Sequence, residues 1–208
     1  MPTSYSNDLK KIIINYLNQS KQKDIFFADS ECKLNQKQFA LKVYKYQNEL
    51  ERIWKNKKKR GIGILLDRST DYIAVIFATW LCDGYYVPLS VNSPQKNINY
   101  QIKNSNLSLI VHKKKGLIKF KKILNNPKRK IPINDSEIAY IIFTSGSTGQ
   151  KKGVIIKKIS FVNYINNLKE VFKKKRKSKS ILINGEMTFD ISLADFAFAF
   201  IFNAGLSI

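Results

Sequence analysis

The segment from Gly61 to Leu89 constrains the fold more than any other. Gly61-Ile-Gly-Ile-Leu-Leu-Asp67 is a continuous apolar run bounded by a turn, the pattern of a strand covered on both faces. Tyr72, Ile73, Val75, Ile76, Phe77, Trp80 and Leu81 follow at spacings that leave almost no polar face. A helix over residues 70–82 must therefore be buried on nearly every side. Asp83-Gly84 stops it, and Tyr85-Tyr-Val-Pro-Leu89 reads as a second strand.

The alternation continues on both sides of this unit. Downstream it predicts a helix near Pro94 to Asn104, strands over Leu107 to His112 and Ile138 to Phe143, a helix over Ser160 to Phe172 and a strand over Ser180 to Asn184. Upstream, Leu9, Ile12, Ile13, Tyr16 and Leu17 recur at helical spacing, and Asp24 to Asp29 reads as a short strand. Asn35 with Gln38 three residues on resembles a capping box opening a helix that carries Phe39, Val43, Tyr46, Leu50 and Ile53. Strands alternating with helices imply an α/β fold with a mainly parallel sheet flanked by helices. Lys55 to Arg60 reads as a solvated basic loop, and Lys113 to Lys130 as a surface loop with one helical turn.

Charge and composition narrow the function classes. Lys and Arg number 37 against 15 Asp and Glu, a formal charge of +22, while 44% of the 208 residues are apolar, enough to build a core and exclude a disordered basic tail. Only Arg52, Arg60, Arg68, Arg129 and Arg176 are arginines. Nucleic-acid readers lean on the bidentate guanidinium, so the lysine excess, accompanied by abundant Asn and Ile, reads as codon bias toward A and T. A non-catalytic basic module binding nucleic acid through the Lys-rich stretches 55–60, 113–130 and 173–179 is the alternative, and steep salt dependence would mark it.

Other classes find little support. Cys32 and Cys82 are far apart without neighbouring histidine, which gives neither a disulfide framework nor a metal site and suits a reducing cytoplasm. His112 is the single histidine, and neither a Ser-His-Asp set nor zinc spacing accompanies it. Residues 1–11 lack the pattern of a signal peptide. The longest apolar tract, Phe189 to Ile208, contains Asp190, Asp195 and Asn203. A charge at the centre of a membrane span costs about 3 kcal/mol, so this tract reads as a buried helix.

One segment carries chemistry. The predicted strand Ile138-Ala-Tyr-Ile-Ile-Phe143 runs into Thr144-Ser-Gly-Ser-Thr-Gly149, followed by Lys151, Lys152 and Gly153. Glycines let backbone N–H groups approach an anion, Thr144, Ser145, Ser147 and Thr148 add hydroxyl donors, and Lys152 adds a positive charge. Together they suit a polyphosphate. Only three residues separate Gly149 from Gly153 and no Gly-Lys-Ser/Thr follows, so this is not a Walker loop. Gly61 and Gly63 lack the third glycine of a dinucleotide fingerprint. On composition alone the same stretch could be a polar linker.

The stretch Tyr140-Ile-Ile-Phe-Thr-Ser-Gly-Ser-Thr-Gly-Gln-Lys-Lys-Gly-Val154 resembles the core phosphate-loop signature of the adenylate-forming enzymes, which include acyl-CoA synthetases, luciferases and the adenylation domains of nonribosomal peptide synthetases. Leu81-Cys-Asp-Gly-Tyr-Tyr-Val-Pro-Leu89 and Leu34-Asn-Gln-Lys-Gln-Phe39 resemble two earlier segments of that family. Thr188-Phe-Asp-Ile-Ser192 is similar to the Phe-Asp-x-Ser segment of its amino-acid-activating members, which also include the D-alanine carrier-protein ligases. Lys151 stands where the family usually has Pro, and Lys158 where a His often follows the loop.

The resemblance implies that Thr144, Ser145, Gly146, Ser147, Thr148, Gly149 and Gly153 hold the phosphates of Mg2+-bound ATP, with Lys152 assisting as pyrophosphate leaves. It implies that Asp190 anchors a substrate α-amino group, with Ile191 and Ala194 lining the side-chain pocket; as a structural alternative, Asp190 caps the following helix. The implied reaction is activation of an amino-acid carboxylate as aminoacyl-AMP, then transfer to the phosphopantetheine thiol of a carrier protein. A fatty- or aryl-acid ligase of the same fold is a further alternative, in which Asp190 is structural. Residues 1–208 are then expected to form the incomplete N-terminal subdomain of an adenylation domain. The adenine- and ribose-binding segments and the C-terminal subdomain are not matched in the sequence, so little adenylating activity is expected of these residues alone.

Overall fold

The computed structural model describes residues 8–18, 26–55, 57, 59–123, 134–145, 151–172, 180–188 and 191–208. Among them are six helices and ten strands in two sheets. The larger sheet has the order β6-β5-β3-β4-β7-β8, formed by β3 (Gly61–Leu65), β4 (Tyr85–Pro88), β5 (Leu109–Lys114), β6 (Leu117–Lys122), β7 (Ile138–Ser145) and β8 (Lys151–Lys157). Strands β5, β3, β4 and β7 are parallel, and the outer strands β6 and β8 run antiparallel to their neighbours. The smaller sheet has the order β2-β1-β10-β9, from β1 (Phe26–Ala28), β2 (Lys33–Asn35), β9 (Ser180–Leu182) and β10 (Gly205–Ser207).

Helix α3 (Thr70–Leu81) occupies the centre, and every residue in it except Asp71 is buried. Phe77 meets Tyr16 of α1 (Leu9–Leu17), Phe39 of α2 (Gln36–Trp54), and Phe196 and Phe200 of α6 (Ser192–Phe202), at ring separations of 5.5–6.0 Å. One turn on, Trp80 packs on Tyr86 of β4 and on Phe161 of α5 (Lys158–Val171), and its indole N–H donates to the Ala139 carbonyl of β7 at 2.8 Å. An all-round apolar helix lowers its free energy only where partners cover every face, and here four helices and the sheet do so.

The opposite face of the large sheet is covered by α4 (Gln95–Asn104). Strand alternation sorts the side chains: Tyr85 and Val87 of β4 join Ile98 and Leu107 in a smaller core, whereas Tyr86 faces α3. Gly61 is required by this packing, because a Cβ there would lie 2.4 Å from the ring of Tyr85, whose hydroxyl donates to the Ser105 carbonyl at 2.7 Å.

The sheets are tied together through helix ends. Ser69 caps α3 by accepting from the Tyr72 N–H, and Asp29, just after β1, accepts from the Thr70 N–H at 2.7 Å. A carboxylate from the smaller sheet thus satisfies an unpaired donor at the positive end of a helix belonging to the larger one. Burial raises the Asp29 pKa, but N–H groups of Thr70, Cys32 and Glu31 outweigh it and hold the group at about 2. At the other end of α3, Asp83 adopts a left-handed φ of 57°, and its carboxylate lies 3.4 Å from Lys10 Nζ of α1 and 3.9 Å from Lys158 Nζ of α5. Gly84 is needed for space and not for conformation, since a Cβ would sit 2.6 Å from the Arg60 carbonyl oxygen.

The described residues bear out the capping box, with Asn35 and Gln38 exchanging side-chain and backbone bonds at 2.9 Å, and the amphipathic first helix. They correct three expectations. Lys113 to Lys122 is not a loop with a helical turn: β5 continues to Lys114 and β6 returns antiparallel through Lys115 and Gly116, both at positive φ. Alternating Lys with Leu117, Ile118 and Phe120 makes an edge strand whose pattern the basic composition obscured. Residues 124–130 lie outside the described residues. The apolar tract ending at Ile208 is not one helix, because Asn203 takes a left-handed φ of 52°, ends α6, and lets β10 enter the small sheet. Helix α5 starts at Lys158, two residues before the predicted Ser160. No described helix is long and apolar enough to cross a membrane.

Two stability outcomes follow from this packing. Phe77→Ala removes the ring shared by α1, α2 and α6 and is expected to cost about 3–5 kcal/mol in denaturant unfolding. Asp29→Ala is expected to cost about 1–2 kcal/mol at neutral pH, as for loss of a helix-end acceptor. Because the folded pKa lies below the ordinary carboxylate value, Asp29 contributes fully above that value and loses its contribution as pH falls toward 2. Unfolding curves of parent and variant should converge over that interval; a constant gap would show that the charge contributes nothing.

Candidate functional site

Strands β3, β4 and β7 run parallel, so their carboxyl ends share one edge of the large sheet. In open α/β sheets ligands bind in the crevice outside those ends. The segments emerging there are Leu66 to Arg68, Leu89 to Asn92, and Thr144 with Ser145.

Strand β7 extends past Phe143 to include Thr144 and Ser145, and β8 pairs with it antiparallel. Thr144 and Ser145 at one end of the phosphate-loop motif and Lys151 to Gly153 at the other therefore lie on paired antiparallel strands, and β8 is an element that the sequence pattern did not reveal. Register places Phe143 opposite Gly153, Thr144 opposite Lys152, and Ser145 opposite Lys151. Direct cross-strand partners share a face, so Thr144 and Lys152 stand side by side, both exposed. Tyr140 and Ile142, on the same face by alternation, belong to the core around α3, which places Thr144 and Lys152 on the helix-rich side of the sheet. Gly146, Ser147, Thr148 and Gly149 lie outside the described residues.

One side chain that the sequence did not flag, Tyr100, braces this hairpin. The Tyr100 hydroxyl of α4 donates to the Lys151 carbonyl at 3.0 Å, and its ring meets Phe143 edge-on at 6.3 Å. Gly153 faces Phe143, and a Cβ would come within 3.2 Å of that ring and of Ile141, so a side chain there would press on the brace. Tyr100 belongs to a helix without chemical motifs, and only tertiary contact reveals its role.

The proposed amine anchor, Asp190, lies outside the described residues. Ile191 is the N-cap residue of α6 and makes no side-chain cap; its side chain is 66% exposed and its Cγ2 lies over Gly185. Ala194 is half-buried in the first turn and its N–H bonds the Ile191 carbonyl at 3.1 Å. The structure thus brings Ile191 and Ala194 together at one helix end, and Thr144 and Lys152 together on the hairpin. The chain leading to α6 is held by Arg68, which donates to the Ile183 carbonyl, and by Asp195, which accepts from the Asn184 N–H. Burial pushes the Asp195 carboxyl up, opposed by that bond and by Arg68.

A cleft of about 310 Å³ opens at the carboxyl edge, between the segments after β3 and β4 and residues 186–188. It is lined in part by Leu66, Arg68, Tyr72, Leu89 and Met187. Neither Ile191 nor Ala194 lines it. The remaining candidates for chemistry are structural: burial drives the Cys82 thiol up to about 12, which makes it unreactive, and no described group of three His, Cys, Asp or Glu side chains could hold a metal ion.

The sequence pattern of the AMP-binding enzyme family matches residues 17–207. The chain belongs to that family, the adenylate-forming enzymes. It is 31% identical over 166 residues to gramicidin S synthase 2 of Brevibacillus brevis, covering 72% of this chain and 4% of that protein. It is 32% identical over 146 residues to zwittermicin A synthase ZmaJ of Bacillus cereus, covering 64% and 28%. Among solved structures, holo-AB3403, a four-domain nonribosomal peptide synthetase bound to AMP and glycine, superposes with a TM-score of 0.73 at 19% identity, over 97% of this chain and 15% of that one. The N-terminal subdomain of Klebsiella oxytoca NpsA, in complex with 3-hydroxyanthranilyl-AMSN, gives a TM-score of 0.71 at 16% identity, over 97% and 53%. The chain thus has the fold of an adenylation-domain N-terminal subdomain and spans a small part of the synthases it matches.

The brace can be tested directly. Tyr100→Phe removes the bond to the Lys151 carbonyl and keeps the ring on Phe143, so a loss of about 1 kcal/mol is expected, with faster amide hydrogen exchange concentrated in β8. Unchanged exchange in β8 would show that the hairpin is held by other contacts.

Proposed function

We propose that this protein takes part in ATP-dependent activation of an amino-acid carboxylate as its aminoacyl adenylate, for transfer to the phosphopantetheine thiol of a carrier protein. The observation that carries the proposal is the pairing of Thr144 with Lys152 at the carboxyl edge of the parallel strands, within a family match to AMP-binding enzymes over residues 17–207. The similarity to peptide synthases supports an amino acid as substrate and a carrier protein as partner.

The exposed Thr144 hydroxyl and Lys152 ammonium form a donor pair suited to phosphate oxygens, and among the described residues Lys152 forms no ion pair with a carboxylate. Thr144, Ser145, Gly153 and the intervening loop residues Gly146 to Gly149 would grip the polyphosphate through hydroxyl and backbone donors. Lys152 would offset the charge that gathers on pyrophosphate as a substrate carboxylate oxygen bonds to the α-phosphorus and the α–β bridging bond breaks. Mg2+ would neutralise phosphate charge; held mainly by phosphate oxygens and water, as hard cations are in such sites, it needs no cage of protein carboxylates. Asp190 would pair with the substrate ammonium, and Ile191 and Ala194 would border its side chain.

Amino-acid-dependent exchange of pyrophosphate into ATP, measured on the natural polypeptide containing these residues, tests the reading. Exchange should depend on an amino acid and fall at least about tenfold with its deaminated analogue, the loss expected when a carboxylate is left unpaired. Lys152→Ala should lower kcat at least about tenfold with little change in the amino-acid KM. Equal exchange with the deaminated acid would instead identify an acyl- or aryl-acid ligase.

A further inference from the structure

Thr144 and Lys152 belong to the large sheet, whereas the chain that enters α6 leaves β9 of the small one. The two halves of the candidate site are thus carried on separate frames. Their chemistry requires those frames to be placed accurately against each other.

Ile183 is where the frames are joined. Its N–H donates to the Ser207 carbonyl at 2.8 Å, which continues the pairing of β9 with β10, and its carbonyl accepts from Arg68 Nη2. Arg68 stands in the turn between β3 and α3. One backbone group of Ile183 is therefore engaged by the small sheet and the other by the large sheet's turn. The next residue is fixed as well, since the Asn184 N–H bonds Asp195 of α6. Gly185 then lies against Ile191 and Ser192, so close that a Cβ would be 2.7 Å from Ile191 Cγ2. Gly185 and residues 191–192 meet as a neck, and Arg68 holds the chain that enters it. The same turn has a second tie to the small sheet, from the Thr70 N–H to Asp29, but that bond ends beside β1.

We propose that Arg68 is a positioning residue for adenylation: its grip on the Ile183 carbonyl sets the amino-acid side of the site against the phosphate side. The role rests on the function proposed above, with Asp190 holding the substrate amine and Thr144 and Lys152 the phosphates. Arg68 acts here through the backbone it holds. Attack of a carboxylate oxygen on the α-phosphorus needs reacting atoms about 3–3.5 Å apart, and a misplacement of about 1 Å costs roughly a hundredfold in rate. Each substrate can still bind its own frame when the frames shift. Loss of the tie therefore lowers kcat more than it raises either KM.

Pyrophosphate exchange by the natural polypeptide containing these residues reads the role. Arg68→Leu should lower kcat at least about tenfold, while the KM values for ATP and for the amino acid each change less than about threefold. Arg68→Lys keeps a cation and a donor, so it should recover part of kcat yet remain at least about threefold below the parent, and it reads the role even if the leucine variant does not fold. Asp29→Ala cuts the other tie and should lower the melting temperature with kcat kept within about twofold. An active parent whose Arg68 variants keep kcat, lose it no more than Asp29→Ala does, or show the loss in KM instead would overturn the role and leave the function standing. A parent without amino-acid-dependent exchange would overturn both.

Discussion

Burial of α3 is the constraint on which the rest of the structure depends. Eleven of its twelve residues are inaccessible, so the helix has no solvent face and every neighbouring element must close on it. Phe77 and Trp80 organise that closure: one gathers α1, α2 and α6, and the other reaches β4, β7 and α5. The ends of the helix then do what its apolar body cannot. Its N-terminal donors receive Asp29 from the smaller sheet, and the turn beyond its C-terminus presents Asp83 to lysines of two other helices. Packing fixes the layers, and a few charge-assisted contacts at helix ends fix how the two sheets are tied.

That arrangement gives the carboxyl edge of the large sheet its functional character. With α3 and α4 covering opposite faces, the open ends of β3, β4 and β7 are the places where polar side chains can gather without burying unpaired groups. The hairpin β7–β8 presents an anion-attracting pair, whereas the cleft beside it carries acidic residues and unpaired donors. The two surfaces differ in electrostatic character, and the cleft lies against residues 186–188 of the segment that leads to α6.

Much of the architecture was legible because its signals are local. The capping box at Asn35 and Gln38, the all-round apolar helix, the strand over residues 61–65 and the helical spacing of α1 each follow from contacts within a few residues. Edge strands were not legible in the same way. Strand β6 alternates Lys with apolar residues, and in a chain this rich in lysine the alternation is hidden; β8 is masked by the motif preceding it. Within the candidate site, the residue types of the phosphate motif were readable, while the brace by Tyr100 and the placement of Arg68 across to Ile183 depend on residues 51 and 115 positions apart.

The sequence by itself determined the elements, the family resemblance and the chemical character of Thr144 to Gly153, because propensity, capping and apolar periodicity act over one or two turns of chain. Tertiary structure alone decided that Thr144 faces Lys152, that Asp29 closes the N-terminus of α3, and that Tyr72 keeps an unpaired hydroxyl beside a cleft. Those outcomes depend on strand register and on which helix covers which sheet face. Such choices are fixed by the free energy of burying the whole core, to which no single segment holds the key.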